Sequence, residues 1–380
     1  MMKKNKISLY IHIPFCESRC HYCDFCSSVI NEKEVQKYTS YLKKEISLYQ
    51  ELLRASEIES IFFGGGTPSS IDEKYISEIM EEIYKFKVFK NPEISLEGNP
   101  NSLTYEKLKI YKSLGINRIS MGAQSFNEKI LKSIGRVHKT KEILEASENI
   151  KSLGFKNFNL DLMLALPYQK LEDLEISMAY IKKINPSHIS YYSLIIEDGT
   201  NIKKLYEKNR RIFPNEDEDR QMYHYVCEKL CQMAYDQYEI SNFAKKGFES
   251  RHNLSYWKLK NYLGFGLSAS SNIGKKRFTN TSFFTDYYQK LDHNKFPISF
   301  SEELSKKERI SEFAIMGIRL NKGIDLKEFS NRFSIDFKNY YKDEIKKHKD
   351  DGLLWVSDDF IGLSKRGRDL SNIVEVDFIK

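Results

Sequence analysis

The chain has no apolar run of membrane-spanning length, which excludes a helical membrane anchor among its segments. It has no internal repeat and no low-complexity linker, which argues against a solenoid and against domains strung on a flexible tether. It lacks a concentrated charge: 60 Lys and Arg against 53 Asp and Glu leave +7 over 380 residues. That excess reads as Lys-rich composition rather than a patch, so charge alone gives no case for nucleic-acid binding. The start, MMKKNKISLYIHIP, is basic, but its apolar stretch is too short for a secretory signal. Cysteine is scarce. There are six, and four of them fall between Cys16 and Cys26. Clustered cysteines without a targeting segment point to a reducing cytoplasm. The other two, Cys227 and Cys231, stand four apart in an expected helix and read as buried free thiols.

What is present is organised around YIHIPFCESRCHYCDFC, Tyr10 to Cys26. Leu9–Ile13 reads as a strand that Pro14 stops. Cys16, Cys20 and Cys23 follow at C-x3-C-x2-C spacing on the loop leaving its carboxyl end. Such a loop of thiolates can wrap an iron–sulfur cluster or a soft metal. Three ligands leave one iron of a four-iron cube open. Four, with Cys26, would close it or make a zinc site. His21, between two of the cysteines, is a further metal-ligating side chain, although iron–sulfur loops use thiolates there.

Short apolar runs then alternate with amphipathic ones. Strands are expected at Leu9–Ile13, Ser60–Phe63, Ile94–Glu97, Arg118–Met121, Phe158–Met163, His188–Leu194 and Tyr238–Ile240. Helices are expected at Glu32–Leu53, Glu73–Lys85, Tyr105–Leu114, Glu128–Ile134, Lys141–Leu153, Leu171–Ile184 and Glu216–Tyr235. This alternation predicts an α/β fold, a partial open barrel of about six (β/α) units over residues 1–243, with functional residues at strand carboxyl ends. Residues 244–300 lose the period and read as loop and short elements near the barrel mouth. Residues 301–380 change pattern: three helices and a hairpin around Ser357-Asp358-Asp359 suggest a mainly helical, winged-helix-like module. Its third helix mixes both signs, which favours packing or partner binding over DNA.

Gly64-Gly65-Gly66-Thr67-Pro68 follows the second strand. Glycines there let a ligand approach the main chain. A triple-cysteine loop after the first strand and GGGTP after the second together resemble the radical S-adenosylmethionine (radical SAM) proteins. The resemblance implies that Cys16, Cys20 and Cys23 hold a [4Fe–4S] cluster. It also implies that S-adenosylmethionine (SAM) binds the open iron and is split to a radical, with electrons from a donor such as flavodoxin or ferredoxin. EGNP (Glu97–Pro100), RISMGAQSF (Arg118–Phe126), GRVH (Gly135–His138), DLMLALPYQ (Asp161–Gln169) and SRHNLSYW (Ser250–Trp257) come in the order of the oxygen-independent coproporphyrinogen III oxidase group of porphyrin biosynthesis. Within it, C-x3-C-x2-C-D-F and HNLSYW are similar to the HemW-type heme chaperone branch. The resemblance implies heme and heme-acceptor proteins as partners, with at most transient membrane association.

Carried over position by position, the resemblance implies SAM contacts from Tyr10, Gly65 and Glu97, the last through the ribose hydroxyls. Tyr22, Gly66, Thr67, Gln124, Arg136 and Asp161 match positions that hold a second SAM in the dehydrogenase of the group. Asp161 also reads as a strand residue satisfied by neighbouring amides. His252, beside Arg251, Asn253, Tyr256 and Trp257, is the heme-ligand candidate, against a hydrogen-bonded loop histidine that supports the barrel. His12 and His138 read as structural. Two departures stand out. Ala165 sits where the group has glycine before Leu-Pro, and Ser270 sits where the branch often has histidine. Phe25 occupies the dehydrogenase's fourth-cysteine position, with Cys26 displaced by one. The alternative enzyme reading is radical oxidative decarboxylation of coproporphyrinogen III.

Overall fold

The computed structural model describes residues 5–380; the basic start read above as no signal peptide lies partly outside them. Twelve strands form one sheet. Its centre is six parallel strands: β1 (Asn5–Ile13), β2 (Ser56–Gly65), β3 (Val88–Gly98), β4 (Arg118–Gln124), β5 (Asn157–Leu164) and β6 (His188–Ser193). They pair side by side in chain order. Parallel neighbours require crossovers, and helices Glu32–Leu48, Glu73–Ile83, Tyr105–Ser113, Thr140–Ser152 and Leu171–Ile184 supply them. Each helix buries an apolar stripe, as with Val35, Tyr38, Leu42 and Ile46 of the first. β4 is buried along its whole length, as a central strand covered on both faces must be. This is the α/β order of parallel strands and crossover helices that the alternation predicts.

The structure departs from the sequence reading in three places. The long helix expected to Leu53 breaks at Tyr49 into Glu32–Leu48 and Gln50–Ala55. Tyr238–Ile240 is not a strand. It joins two short antiparallel ones, β7 (Asp236–Gln237) and β8 (Asn242–Ala244), and β8 pairs with β6. The turn is closed by the buried Glu239 carboxylate, which accepts from the Ser241 N–H at 2.9 Å and from the Asn242 side chain. Third, residues 244–300 hold regular structure. β9 (Tyr262–Phe265) pairs parallel to β1 on the side away from β2. β10 (Ser270–Ile273), β11 (Lys276–Asn280) and β12 (Ile298–Glu303) continue antiparallel. A buried carboxylate fastens this extension. Glu45 on the first helix accepts from the Gly266 N–H at 2.8 Å, Asn280 at 2.7 Å and the Tyr287 hydroxyl at 2.6 Å. Burial holds its pKa up at about 7 despite those donors.

The C-terminal region packs around a second apolar core in which Phe313, Phe329, Phe333 and Phe337 meet. Its helices Lys306–Ile318, Leu326–Phe333 and Lys342–Asp350 stand beside a small sheet of Ile324–Asp325, Phe360–Leu363 and Leu354–Val356. Among the described residues, no helix is long and apolar enough to cross a membrane. Cys227 is half-buried and Cys231 exposed, so the expected buried pair is a free pair on a helix flank.

Candidate functional site

β1 ends at Ile13, and its loop is clamped by two later segments. The Gly66 and Thr67 N–H groups donate to the carbonyls of Ile13 and Phe15 at 2.8 Å each, and the His21 N–H donates to Ile134 at 3.0 Å. Gly66 has no room for a side chain, since a Cβ there would lie 2.7 Å from the Phe15 backbone. Cys16, Cys20 and Cys23 are free and half-buried. Burial pushes the Cys16 and Cys23 thiols up, and neighbouring thiolates of the same loop add to this. Among the described residues, no three His, Cys, Asp or Glu side chains are already gathered as a metal-holding group. His21 is occupied elsewhere, with Nδ1 on the Ser133 carbonyl at 3.1 Å. Cys26 turns its Sγ to the Ser282 carbonyl at 3.7 Å.

A hydrogen-bonded chain ties this loop to the next strand ends. The Thr67 hydroxyl donates to Cys16 Sγ at 3.6 Å, Asn99 donates to Thr67 at 3.3 Å, and Arg136 donates to Asn99 at 2.6 Å. Arg136 is half-buried, and Tyr22, Cys20 and Cys23 hold its guanidinium's pKa up against the cost of burial. Its Nε has no partner, and neither does the buried Gln124 Oε1. Gln124 also takes a left-handed backbone, φ 63°, beside a register shift in β4. Strain and orphaned polar atoms at one strand end mark a place shaped for something else. Gly122 makes the room, since a Cβ there would meet Arg136 and Gln124 at 2.9 Å.

Across the mouth, Tyr10, Phe25, Phe62, Gly65, Glu97, Asn253, Tyr256 and His252 line a cavity of about 260 Å3. Glu97 accepts only a long bond, 3.3 Å, from the Gly65 N–H. Burial and the Asp161 carboxylate raise its pKa to about 8. Asp161 itself is satisfied by the Ser120 hydroxyl at 2.9 Å, Asn159 at 2.8 Å and the Tyr192 hydroxyl. Gly65 has φ 107° and sits on the His12 ring, which a Cβ would strike at 2.4 Å. His12 bridges Tyr10 (3.0 Å) and the Cys26 carbonyl (2.8 Å), and burial drops its pKa to about 4. Sequence reading passed over this link. The alternation of β1 puts His12 on the same face as Tyr10, with no sign that its ring floors the glycine motif.

His252 lies in a short helix, Arg251–Trp257, capped by Ser250. It is 1% exposed. Nδ1 meets the Ser60 hydroxyl at 2.9 Å, Nε2 meets the Tyr256 hydroxyl at 2.7 Å, and the ring stacks on Phe62. Burial lowers its pKa to about 3, so it is neutral. Both ring nitrogens are taken, so an iron would have to displace a bond already made. The Tyr256 hydroxyl is the adjacent polar group on the cavity wall. Beneath, the buried Glu93 carboxylate of β3 accepts from the Arg251 and His252 N–H groups at 3.1 and 2.9 Å. Glu93 was not foreseen, because it lies just before the expected strand Ile94–Glu97 and its partner Arg251 comes 158 residues later. Ser270 is exposed and bonds only Thr279 across β11, at 3.0 Å.

These donors fit a cluster and a SAM molecule. The thiols are free, Gly65 lines a cavity, the Glu97 carboxylate accepts one long bond, and Arg136 Nε and Gln124 Oε1 lack partners among the described residues. Residues 10–181 match the Radical SAM superfamily, and residues 304–370 match the HemN C-terminal domain. The fold follows that of coproporphyrinogen III oxidase (HemN) from Escherichia coli, with a TM-score of 0.87 over 99% of this chain and 91% of the other, at 24% identity. Fold and motifs thus define a radical SAM protein. The chain is 37% identical to the heme chaperone HemW of Bacillus subtilis over 97% of both chains. It is 32% identical to that of Lactococcus lactis over 98% of this chain and 97% of the other. A mitochondrial radical SAM domain-containing protein 1 from Danio rerio is 30% identical over 83% of this chain and 73% of its own. The chain belongs to the HemW heme chaperone family.

Proposed function

We propose that this protein binds one [4Fe–4S] cluster and SAM at the barrel mouth, and that it binds heme and passes it to acceptor proteins in the cytoplasm. The observation that carries the reading is the cavity itself. One wall is the cluster-side set Tyr10, Gly65 and Glu97, and the other is Asn253, Tyr256 and His252. Cys16, Cys20 and Cys23 would hold the cluster, leaving one iron for SAM. A loaded cluster supplies an electron, taken from a donor such as flavodoxin or ferredoxin. The protein's own part is positional. Glu97 accepts from two vicinal ribose hydroxyls once deprotonated, and the Gly65–Gly66 backbone approaches the methionine. Arg136 and Gln124 would offer their unpartnered atoms to a second SAM, with Tyr22, Thr67 and Asp161 as the other candidate contacts.

Heme meets the opposite wall, with aromatic faces at Phe25, Phe62 and Tyr256. Anaerobic titration with ferric heme should give a Soret shift that His252→Ala weakens about tenfold. Tyr256→Phe reports whether the phenol or the imidazole meets the iron, through the spin state of the bound heme. Absence of any Soret shift, together with carbon dioxide release from coproporphyrinogen III, would overturn the chaperone reading in favour of the oxidase.

A further inference from the structure

At the end of the barrel away from the site, a groove of about 700 Å3 opens between the starts of β1 and β2 and the C-terminal helices. Its wall carries Lys6, Lys260, Lys275, Lys306, Arg309 and Arg332, and a single carboxylate, Glu59. Six separate stretches of chain supply these residues, so no sequence window shows the concentration. Glu59 is shared by Lys6 at 2.5 Å and Lys260 at 3.5 Å. Arg309 pairs with Glu312 at 2.8 Å and Arg332 with Glu328 at 3.5 Å. Counting those partners, six cations face three carboxylates. Lys275 and Lys306 make no ion pair among the described residues.

The surplus is held in place against its own cost. Lys306 opens the helix Lys306–Ile318, the end where the helix dipole disfavours a cation. Arg332 is held below its usual range by burial, and Arg309 adds to that repulsion. The Lys275 turn is rigid: the Gly274 N–H donates to Asn261 at 3.0 Å, and the Leu304 N–H donates to the Lys275 carbonyl at 2.9 Å. Between the cations the lining mixes the edges of the largely buried Leu259, Leu304 and Phe333 with Asn261, Gly274 and Ser334.

We propose that this groove docks an acidic polypeptide segment of a partner protein. A bilayer surface is flat and cannot follow a concave wall of this size. The lining holds no exposed aromatic on which a nucleic-acid base would stack. A peptide with alternating acidic and apolar side chains satisfies both components, its carboxylates on the lysine rim and its apolar side chains on the floor. The groove is separate from the cofactor site, so the docking is independent of what the barrel mouth binds. Lys6 and Ile13 lie at opposite ends of β1, roughly 20 Å apart at strand rise.

The test is fluorescence anisotropy of a labelled twelve-residue peptide of alternating Glu and Leu, using the full-length protein. Binding should weaken at least tenfold from 50 to 300 mM salt and at least tenfold in Lys275→Glu/Lys306→Glu, two exposed positions whose change leaves the fold intact. Glu59→Gln, which frees Lys6 and Lys260, should tighten it about threefold. Peptide binding that ignores the double substitution overturns the proposal. So does its absence beside lysine-dependent sedimentation with phosphatidylglycerol vesicles, or complete displacement of the peptide by millimolar inorganic phosphate.

Discussion

The two walls of the central cavity are built on opposite terms. On the cluster side, Gln124 and Gly65 sit at positive φ, and the Gln124 and Arg136 side chains each keep an unpartnered atom. Glu97 is half-buried with one long bond. On the other side His252 has both nitrogens engaged, its ring stacked and its backbone N–H received by Glu93. Unmet bonding capacity and strain mark a surface that a ligand completes. Full satisfaction marks a surface that holds itself together, where a heme iron would reach His252 only by displacing a bond already made. The difference teaches that the motif residue richest in chemistry is not by that fact the one poised for a ligand.

The comparison breaks most easily at the thiols. Cys23→Ser should lose essentially all cluster iron after anaerobic reconstitution, while Cys26→Ser, whose Sγ faces Ser282, should keep about four irons per chain. Gly65→Ala places a methyl in the His12 ring and an alanine at φ 107°. It should destabilise by roughly 3 kcal/mol and abolish SAM binding, read by denaturant unfolding and equilibrium dialysis.

The pH dependence sharpens the contrast further. Glu97 carries a raised pKa of about 8 in the free protein, and the ribose needs its carboxylate. SAM affinity should therefore rise with pH, about tenfold per unit below 8, and level off above it. Folding stability runs the other way, because the folded state keeps a proton that the unfolded chain has lost. The stabilising difference is present at low pH and falls as pH climbs from about 4.5 to 8. Glu97→Gln should flatten both curves. Neutral His252, with its pKa lowered to about 3, should contribute no inflection to SAM affinity in that window. A flat SAM profile for the native protein would erase the distinction between the walls.

The smallest effect tests strain without a ligand. Ala165 stands at φ 55°, where the related group has glycine. Ala165→Gly should stabilise by about 1 kcal/mol with SAM affinity unchanged.

Much of this was legible along the chain, because strand–helix alternation and the cysteine and glycine spacings are local signals. The parallel strands from Leu9 to His188 fall where the apolar runs put them, and Leu171–Ile184 matches residue for residue. What escaped reading depends on distant partners. The 244–300 region looked irregular because its order comes from Glu45, a charge in the first helix that reads as solvent-facing. The His12 ring beneath Gly65 and the Glu93 seat beneath His252 are likewise made by folding. For His252 the ligand reading and the hydrogen-bonded support reading both stood, because a sequence shows a side chain's chemistry but not its existing bonds.

Glu93 and Glu97 belong to one strand, four residues apart. The first fastens the helix that carries His252 and Tyr256, and the second reaches the cofactor side. At strand rise their separation is about 13 Å, fixed by a backbone hydrogen-bonded on both edges. β3 thus acts as a ruler. Whatever occupies the two walls is registered to a common scale, and neither wall can shift without dragging the other's footing.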